Sequence, residues 1–68
     1  MAMSLFTAAD ARVLEQLSEG LPNREIARTL GRMLPTIKNR VRRLFIKTGC
    51  RNRIELAVFY IKHKHDQR

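Results

Sequence analysis

The sequence is poor in cysteine and in long hydrophobic runs. Its 68 residues contain one cysteine, Cys50, and a single thiol cannot build an intrachain disulfide framework or a cysteine-based zinc site. The longest apolar run covers residues 56–61, far fewer than a membrane-spanning helix needs. Residues 1–6 have neither the basic start nor the apolar stretch of a signal peptide. We therefore expect a cytoplasmic protein that does not enter membranes.

Patterns for catalysis and metal binding are missing too. No nucleophile, base and orienting group occur in a recognisable arrangement, and there is no glycine-rich phosphate loop. His63 and His65 are two positions apart, so they do not share a helical face, and no third ligand is near them in the sequence. We expect no enzymatic activity, no cofactor, no metal site and no small-molecule substrate.

Acidic residues are absent from residues 26–54, a segment that carries nine basic residues. The residues before it include two basic and four acidic side chains, and those after it three basic and two acidic ones. The whole chain has a formal net charge of +8, and all of this excess lies in the middle segment. A merely soluble helix pairs its cations with acids three or four residues away, which this segment cannot do. The pattern favours contact with a polyanion, either nucleic acid or an anionic membrane surface.

Turn residues divide the chain into four helices, and no stretch alternates as a strand would. Thr7 and Asp10 have the spacing of a capping box that starts the first helix. The second helix opens with either Pro22 at its first position or Asn23 at its N-cap. The third is predicted over about Leu34 to Thr48, and a second capping-box pattern, residues 52–55, starts the fourth. Three glycines are natural helix terminators, namely Gly20, Gly31 and Gly49.

Apolar residues at helical spacing predict one shared core. They are Val13, Leu14 and Leu17 in the first helix, Ile26, Ala27 and Leu30 in the second, and Ile37, Val41 and Leu44 in the third. The predicted fold class is all-α, a four-helix bundle, because a chain of this length allows one domain. We place that domain at residues 6–62, between tails at residues 1–5 and 63–68.

The third helix has an apolar back and a basic front. The side chains opposite its core stripe are Lys38, Asn39, Arg42 and Arg43, and those on one flank are Thr36, Arg40 and Lys47. Such a helix fits the major groove, where Arg and Lys donate to guanine and Asn pairs with adenine. The flank hydroxyl and cations suit phosphates, which fix register without reading sequence. The alternative interpretation is a basic, solvated face on a core helix.

A short helix, a turn at Gly31 and a basic third helix form a helix-turn-helix. The residues that match a known family run in order and without gaps between Phe6 and Ile61. They are Thr7, Asp10, residues 19–27, 30–31 and 36–39, Val41, Lys47, Gly49 and residues 51–57. On these residues the chain resembles the LuxR-type (GerE-like) four-helix DNA-binding domain, common as the output domain of bacterial response regulators.

The resemblance implies a bacterial transcriptional regulator that binds double-stranded DNA as a dimer. It places Lys38, Asn39 and Arg42 at base-contacting positions of a recognition helix. It places Arg24, Thr36, Arg43 and Lys47 at or near phosphate-contacting positions. Arg40 stands where the family commonly has His and keeps a donor, so we include it among the phosphate contacts.

The chain departs from the family pattern just before the recognition helix. Residues 32–35 lack the usual Ser or Thr cap, so the first amides of the helix need water, a phosphate or a shifted cap. Pro35 is tolerated only in the first turn. Leu34 would either touch a thymine methyl or pack under the turn. Ile46 puts an apolar side chain on the outer face, and Cys50 is expected as a small, buried apolar residue.

The fourth helix is apolar on two faces. One consists of Ile54, Ala57, Val58 and Ile61, and the other of Leu56, Phe59, Tyr60 and His63. Only one face can pack on so small a core, and the other would be exposed as a patch unless a partner covers it. The pattern leaves open which face is which. The family's small apolar positions favour Leu56, Ala57 and Tyr60 facing inward and Ile54, Val58 and Ile61 contacting a second copy.

We therefore expect sequence-specific binding of double-stranded DNA by a homodimer, with a regulatory protein as a further candidate partner. One alternative is a protein-interaction module of the same fold that binds another regulator through the apolar fourth helix. Another is a non-specific nucleic-acid or membrane-surface binder driven by charge alone.

Overall fold

The computed structural model describes residues 6–64 and folds them into four α-helices, with no strand in that range. They are α1 (Ala8–Ser18), α2 (Asn23–Leu30), α3 (Leu34–Thr48) and α4 (Arg53–His63). The all-α, four-helix prediction is confirmed, and α3 has the predicted bounds. The predicted tail at residues 1–5 and most of that at residues 63–68, including His65, lie outside the described residues. None of the four helices is long and apolar enough to cross a bilayer.

The capping box at the start of α1 is confirmed. The Asp10 amide donates to Thr7 Oγ1 at 3.0 Å, and the Thr7 amide donates to Asp10 Oδ2 at 3.1 Å. The second capping box forms only in part. The Glu55 amide donates to Asn52 Oδ1 at 2.9 Å, but the Glu55 carboxylate accepts from the Arg51 amide at 2.8 Å instead of from Asn52. Both helices nevertheless begin where the sequence predicts.

The start of α2 differs from both predicted alternatives. Pro22 is the N-cap, without a side-chain cap, and Asn23 is the first helical residue. The Asn23 side chain is not free to cap the helix, because its Oδ1 accepts from Arg53 Nη1 at 2.9 Å. Arg53 also donates to the Leu21 carbonyl at 2.8 Å. The arginine at the start of α4 thus fixes the turn between α1 and α2.

The core lies where α1 packs against the other three helices. Its buried apolar residues are Val13, Leu14, Leu17, Ile26, Ala27, Ile37, Val41, Leu44, Leu56 and Tyr60. Leu30 and Cys50 are half-buried beside it. Gly31 and Gly49, which end α2 and α3, have φ of 65° and 74°, a left-handed conformation that favours glycine. The predicted core stripes and stop signals are therefore confirmed, except that Leu30 and Cys50 are half-buried and not fully buried.

Candidate nucleic-acid interface

The front of α3, made of Lys38, Asn39, Arg42 and Arg43, is exposed along its length. The helix is held from behind by its three buried core residues, Ile37, Val41 and Leu44. Within residues 6–64, no acid pairs with a cation of this front. The arrangement presents several donors of hydrogen bonds on a rigid helix without internal neutralisation, which is what a polyanionic groove requires.

Two cations on the flank of α3 form ion pairs within the protein. Arg40 Nη1 donates to Asp10 Oδ1 at 3.0 Å, and Lys47 Nζ donates to Asp10 Oδ2 at 3.4 Å. Asp10 itself is only 3% exposed, whereas the side chains of Arg40 and Lys47 are 26% and 41% exposed. Lys47 Nζ also lies 5.2 Å from the centre of the Phe6 ring. Both cations therefore keep part of their surface in water while one carboxylate sets their position.

The pKa of the Asp10 carboxyl is lowered, although two opposing effects act on it. Burial by itself would raise this pKa, because it disfavours the charged form. The hydrogen bond from the Thr7 amide, the Arg40 guanidinium and the Lys47 ammonium all favour the carboxylate and outweigh burial. Asp10 is thus an anion at neutral pH, placed beneath the basic surface of α3.

The N-terminus of α3 lacks a side-chain cap, as the sequence predicts. Met33 is the N-cap with an extended backbone, and Pro35 falls in the first turn. Leu34 is half-buried, so part of its side chain packs and part remains accessible. Arg24 lies exposed in the first turn of α2, and Thr36 lies exposed in the first turn of α3. Ile46 is exposed on the outer side of α3, as predicted.

The outer face of α4 is apolar and accessible. Ile54, Val58 and Ile61 are 76%, 45% and 53% exposed, whereas Leu56 and Tyr60 are buried. The inward prediction is confirmed for these last two residues, and Ala57 is half-buried. Shallow grooves of about 340 and 370 Å³ border Ile54 and Val58 on either side. Ridge and grooves together form a surface that another apolar helix can fit.

Comparison with known protein families identifies the family to which this helix-turn-helix belongs. The family described as "Bacterial regulatory proteins, luxR family" matches residues 4–60. The chain belongs to this family. The predicted LuxR-type resemblance is thereby confirmed, and with it the role of this luxR-family chain as the DNA-binding domain of a transcriptional regulator.

Two curated relatives of the luxR-family chain are similar over 58 residues, which is 85% of its length. The response regulator Rre1 of Synechocystis sp. is 41% identical and is covered to 25% of its own length. The probable transcriptional regulator ycf29 of Cyanophora paradoxa is 40% identical and is covered to 28%. The chain therefore spans about a quarter of the length of these relatives. No solved structure gives a significant match.

Two features of this luxR-family domain were not predicted from its sequence. One is the buried carboxylate of Asp10 beneath Arg40 and Lys47, since the sequence indicated only its capping role. The acid-free middle segment did contain a signal, because any internal partner of its cations must come from outside it. The other is Arg53, which joins α4 to the turn before α2. Among residues 6–64 no group of three acidic, His or Cys side chains is placed to hold a metal ion.

Proposed function

We propose that this chain reads a specific double-stranded DNA sequence with α3 in the major groove. The observation that carries the proposal is the front of α3, exposed, free of acids and backed by a buried apolar stripe. A major groove admits one α-helix of this kind. A role in transcription regulation agrees with the family, and ycf29 of Cyanophora paradoxa is named a probable transcriptional regulator. Such a role would place the protein in the bacterial cytoplasm, with no catalytic step.

Base recognition is assigned to Lys38, Asn39 and Arg42, all exposed on the front. Each good bidentate contact contributes about 1–3 kcal/mol of discrimination between bases. Phosphate contacts are assigned to Arg24, Thr36, Arg40, Arg43 and Lys47. Arg40 and Lys47 reach phosphates from positions that Asp10 fixes, since both remain partly exposed.

A second copy is proposed to cover Ile54, Val58 and Ile61. These three side chains form the apolar outer face of α4, and a domain this small gains from burying them. Pairing through α4 would set two recognition helices in successive major grooves, about one helical turn apart. The expected target is therefore an inverted repeat.

Selection of bound sequences from a random pool of duplex DNA tests the proposal. The expected result is an enriched inverted repeat with half-site centres about one helical turn apart. If no sequence is enriched, the chain binds DNA only non-specifically, through its charge. A specific site should also withstand added salt and competitor DNA better than an unrelated duplex does.

A substitution series tests the residues. The triple variant Lys38→Ala/Asn39→Ala/Arg42→Ala should lose its preference for the selected site and keep the helical fold. The matched control is Arg28→Ala/Arg51→Ala, which also removes two charges, but from cations already paired with Glu25 and Glu55 at 3.0 and 3.6 Å. Unchanged DNA affinity and regulation in the triple variant would contradict the assignment of α3. That outcome would favour the alternative, an interaction module acting through α4.

A further inference from the structure

A narrow cleft lies beside α3, between α1 and the turn that follows α2. Its volume is about 30 Å³. Three arginines from different parts of the chain line it, namely Arg12 of α1, Arg32 of the turn and Arg40 of α3. The remaining lining residues are apolar: Ala9, Val13, Leu30 and Ile37. Among the residues that the structure describes, no acidic side chain lines the cleft.

The three guanidinium groups differ in how they are held. Arg40 is fixed by its ion pair with Asp10 at 3.0 Å. Arg12 and Arg32 are exposed, and neither forms an ion pair within the part of the chain that the structure describes. Like charges around one cleft repel one another unless an anion lies between them. The cleft therefore has one positioned donor and two uncompensated ones.

The size of the cleft limits what can occupy it. A volume of this order accommodates one or two water-sized groups, so it excludes a base or a sugar. It does admit the oxygen atoms of a phosphate whose bulk stays outside. Guanidinium groups bind such oxygens through paired, charge-assisted hydrogen bonds. The chemistry favours a phosphate oxyanion over any larger or neutral ligand.

The cleft continues the flank of α3. With 3.6 residues per turn, Thr36, Arg40 and Lys47 lie within about 40° of one another around the helix. Arg40 belongs both to this row and to the cleft. A DNA strand that follows the row would therefore bring a backbone phosphate to the mouth of the cleft.

We infer that Arg12, Arg32 and Arg40 form a binding site for one DNA backbone phosphate outside the base pairs read by the front of α3. The inference rests on the proposed function, because it requires a duplex aligned by α3. The site extends the DNA-binding surface onto α1, where neither the sequence pattern nor the resemblance places a contact. It contributes affinity and register and reads no bases.

The contribution of this site to DNA binding can be measured from the dependence of DNA affinity on salt concentration. The variant Arg12→Gln/Arg32→Gln should bind the selected site and an unrelated duplex about tenfold more weakly at low salt. Its slope of log affinity against log salt should become shallower by about 2, since one phosphate contact is lost at each of the two half-sites. The order of preference among sequences should not change. Arg28→Gln/Arg51→Gln, with the same loss of charge, should keep the slope of the unmodified chain.

Ethylation interference locates the phosphate. In the unmodified chain and in the control, ethylation of a phosphate flanking each half-site should reduce binding. This interference should disappear in Arg12→Gln/Arg32→Gln, while that at the other phosphates remains. Circular dichroism melting of all three proteins checks that the exposed substitutions leave the fold intact.

Three outcomes would overturn the inference. The first is an unmodified chain without specific binding, which refutes the proposed function as well. The second is specific binding by a double variant whose salt slope and ethylation pattern are unchanged, which refutes the cleft alone. In the third, titration with inorganic phosphate shifts the side-chain resonances of Arg12 and Arg32, while replacing both residues leaves DNA binding unchanged. That result would assign the cleft to free phosphate.

Discussion

Asp10 Oδ1 accepts a hydrogen bond from Arg40 Nη1 at 3.0 Å, which ties the first turn of α1 to the middle of α3. The same carboxylate accepts a hydrogen bond from Lys47 Nζ in the last turn of α3. One buried anion therefore fixes two cations of the proposed DNA-binding surface. The exposed ion pair of Arg28 with Glu25, by contrast, joins two residues of one helix. Asp10 therefore links the start of α1 to two cations on the flank of α3.

Replacing Asp10 by Asn should destabilise the domain. The substitution keeps the size of the side chain but removes the charge that Arg40 and Lys47 contact. We expect the free energy of unfolding to fall by about 1–2 kcal/mol, a value reduced for the partial exposure of both cations. For a domain of this size this lowers Tm by roughly 5–15 °C. Urea and thermal unfolding followed by circular dichroism measure both quantities.

The control for this substitution is Glu25→Gln, which breaks an exposed ion pair. It should change the free energy of unfolding by less than about 0.5 kcal/mol. Equal effects of the two substitutions would show that burial of Asp10 adds nothing to its ion pairs.

Stability should fall in acid because of Asp10. The pKa of this carboxyl is lower in the folded chain than its usual value of 3.8, so folding favours the anion. Its contribution is fully present above that value and is lost as the pH falls through the folded pKa. The stability difference between the unmodified chain and Asp10→Asn should therefore be constant from neutral pH to about pH 5 and shrink below pH 4. A difference that does not shrink at all between pH 4 and pH 2 in urea unfolding would contradict a charge-based role.

A new N-cap should stabilise α3. Met33 has the extended backbone of an N-cap, is 75% exposed and offers no hydrogen-bond acceptor to the first turn. The hydroxyl introduced by Met33→Ser can accept from the Thr36 amide, so we expect a gain of about 0.5–1 kcal/mol and a rise of a few degrees in Tm. Met33→Ala, which shortens the side chain without adding an acceptor, should give no such gain. Thermal melting of the unmodified chain, Met33→Ser and Met33→Ala measures the difference in Tm.

A charge on the outer face of α4 should prevent dimerisation. Val58 lies between Ile54 and Ile61 on that face, and Val58→Glu would bury a carboxylate at the proposed contact. We expect dimerisation to weaken by about tenfold or more in sedimentation equilibrium. Binding to two half-sites should weaken accordingly, with little change at a single half-site.

The matched control is Ile46→Glu, an identical type of change at an exposed residue of α3. It should leave the association state unchanged in the absence of DNA. Equal weakening by both substitutions, or a monomer at every concentration of the unmodified chain, would exclude α4 as the dimer contact.

Sequence patterns located α3 accurately because both of its ends depend on neighbouring residues. Pro35 is compatible only with the first turn of a helix, so α3 must start close to it. Gly49 adopts the left-handed conformation that ends the helix. The start of α2 was predicted one residue away from its position, because the Asn23 side chain binds Arg53, 30 positions later. No local pattern contains that contact.

The sequence alone therefore determined the four helices, the core stripes, the basic front of α3 and the family. Capping and periodicity act between residues no more than about one turn apart, so they can be recognised from spacing. Only the tertiary structure decided that Asp10 lies beneath Arg40 and that three arginines meet at one cleft. These relationships depend on how helices pack across long stretches of chain, and burial of apolar surface between helices sets that packing.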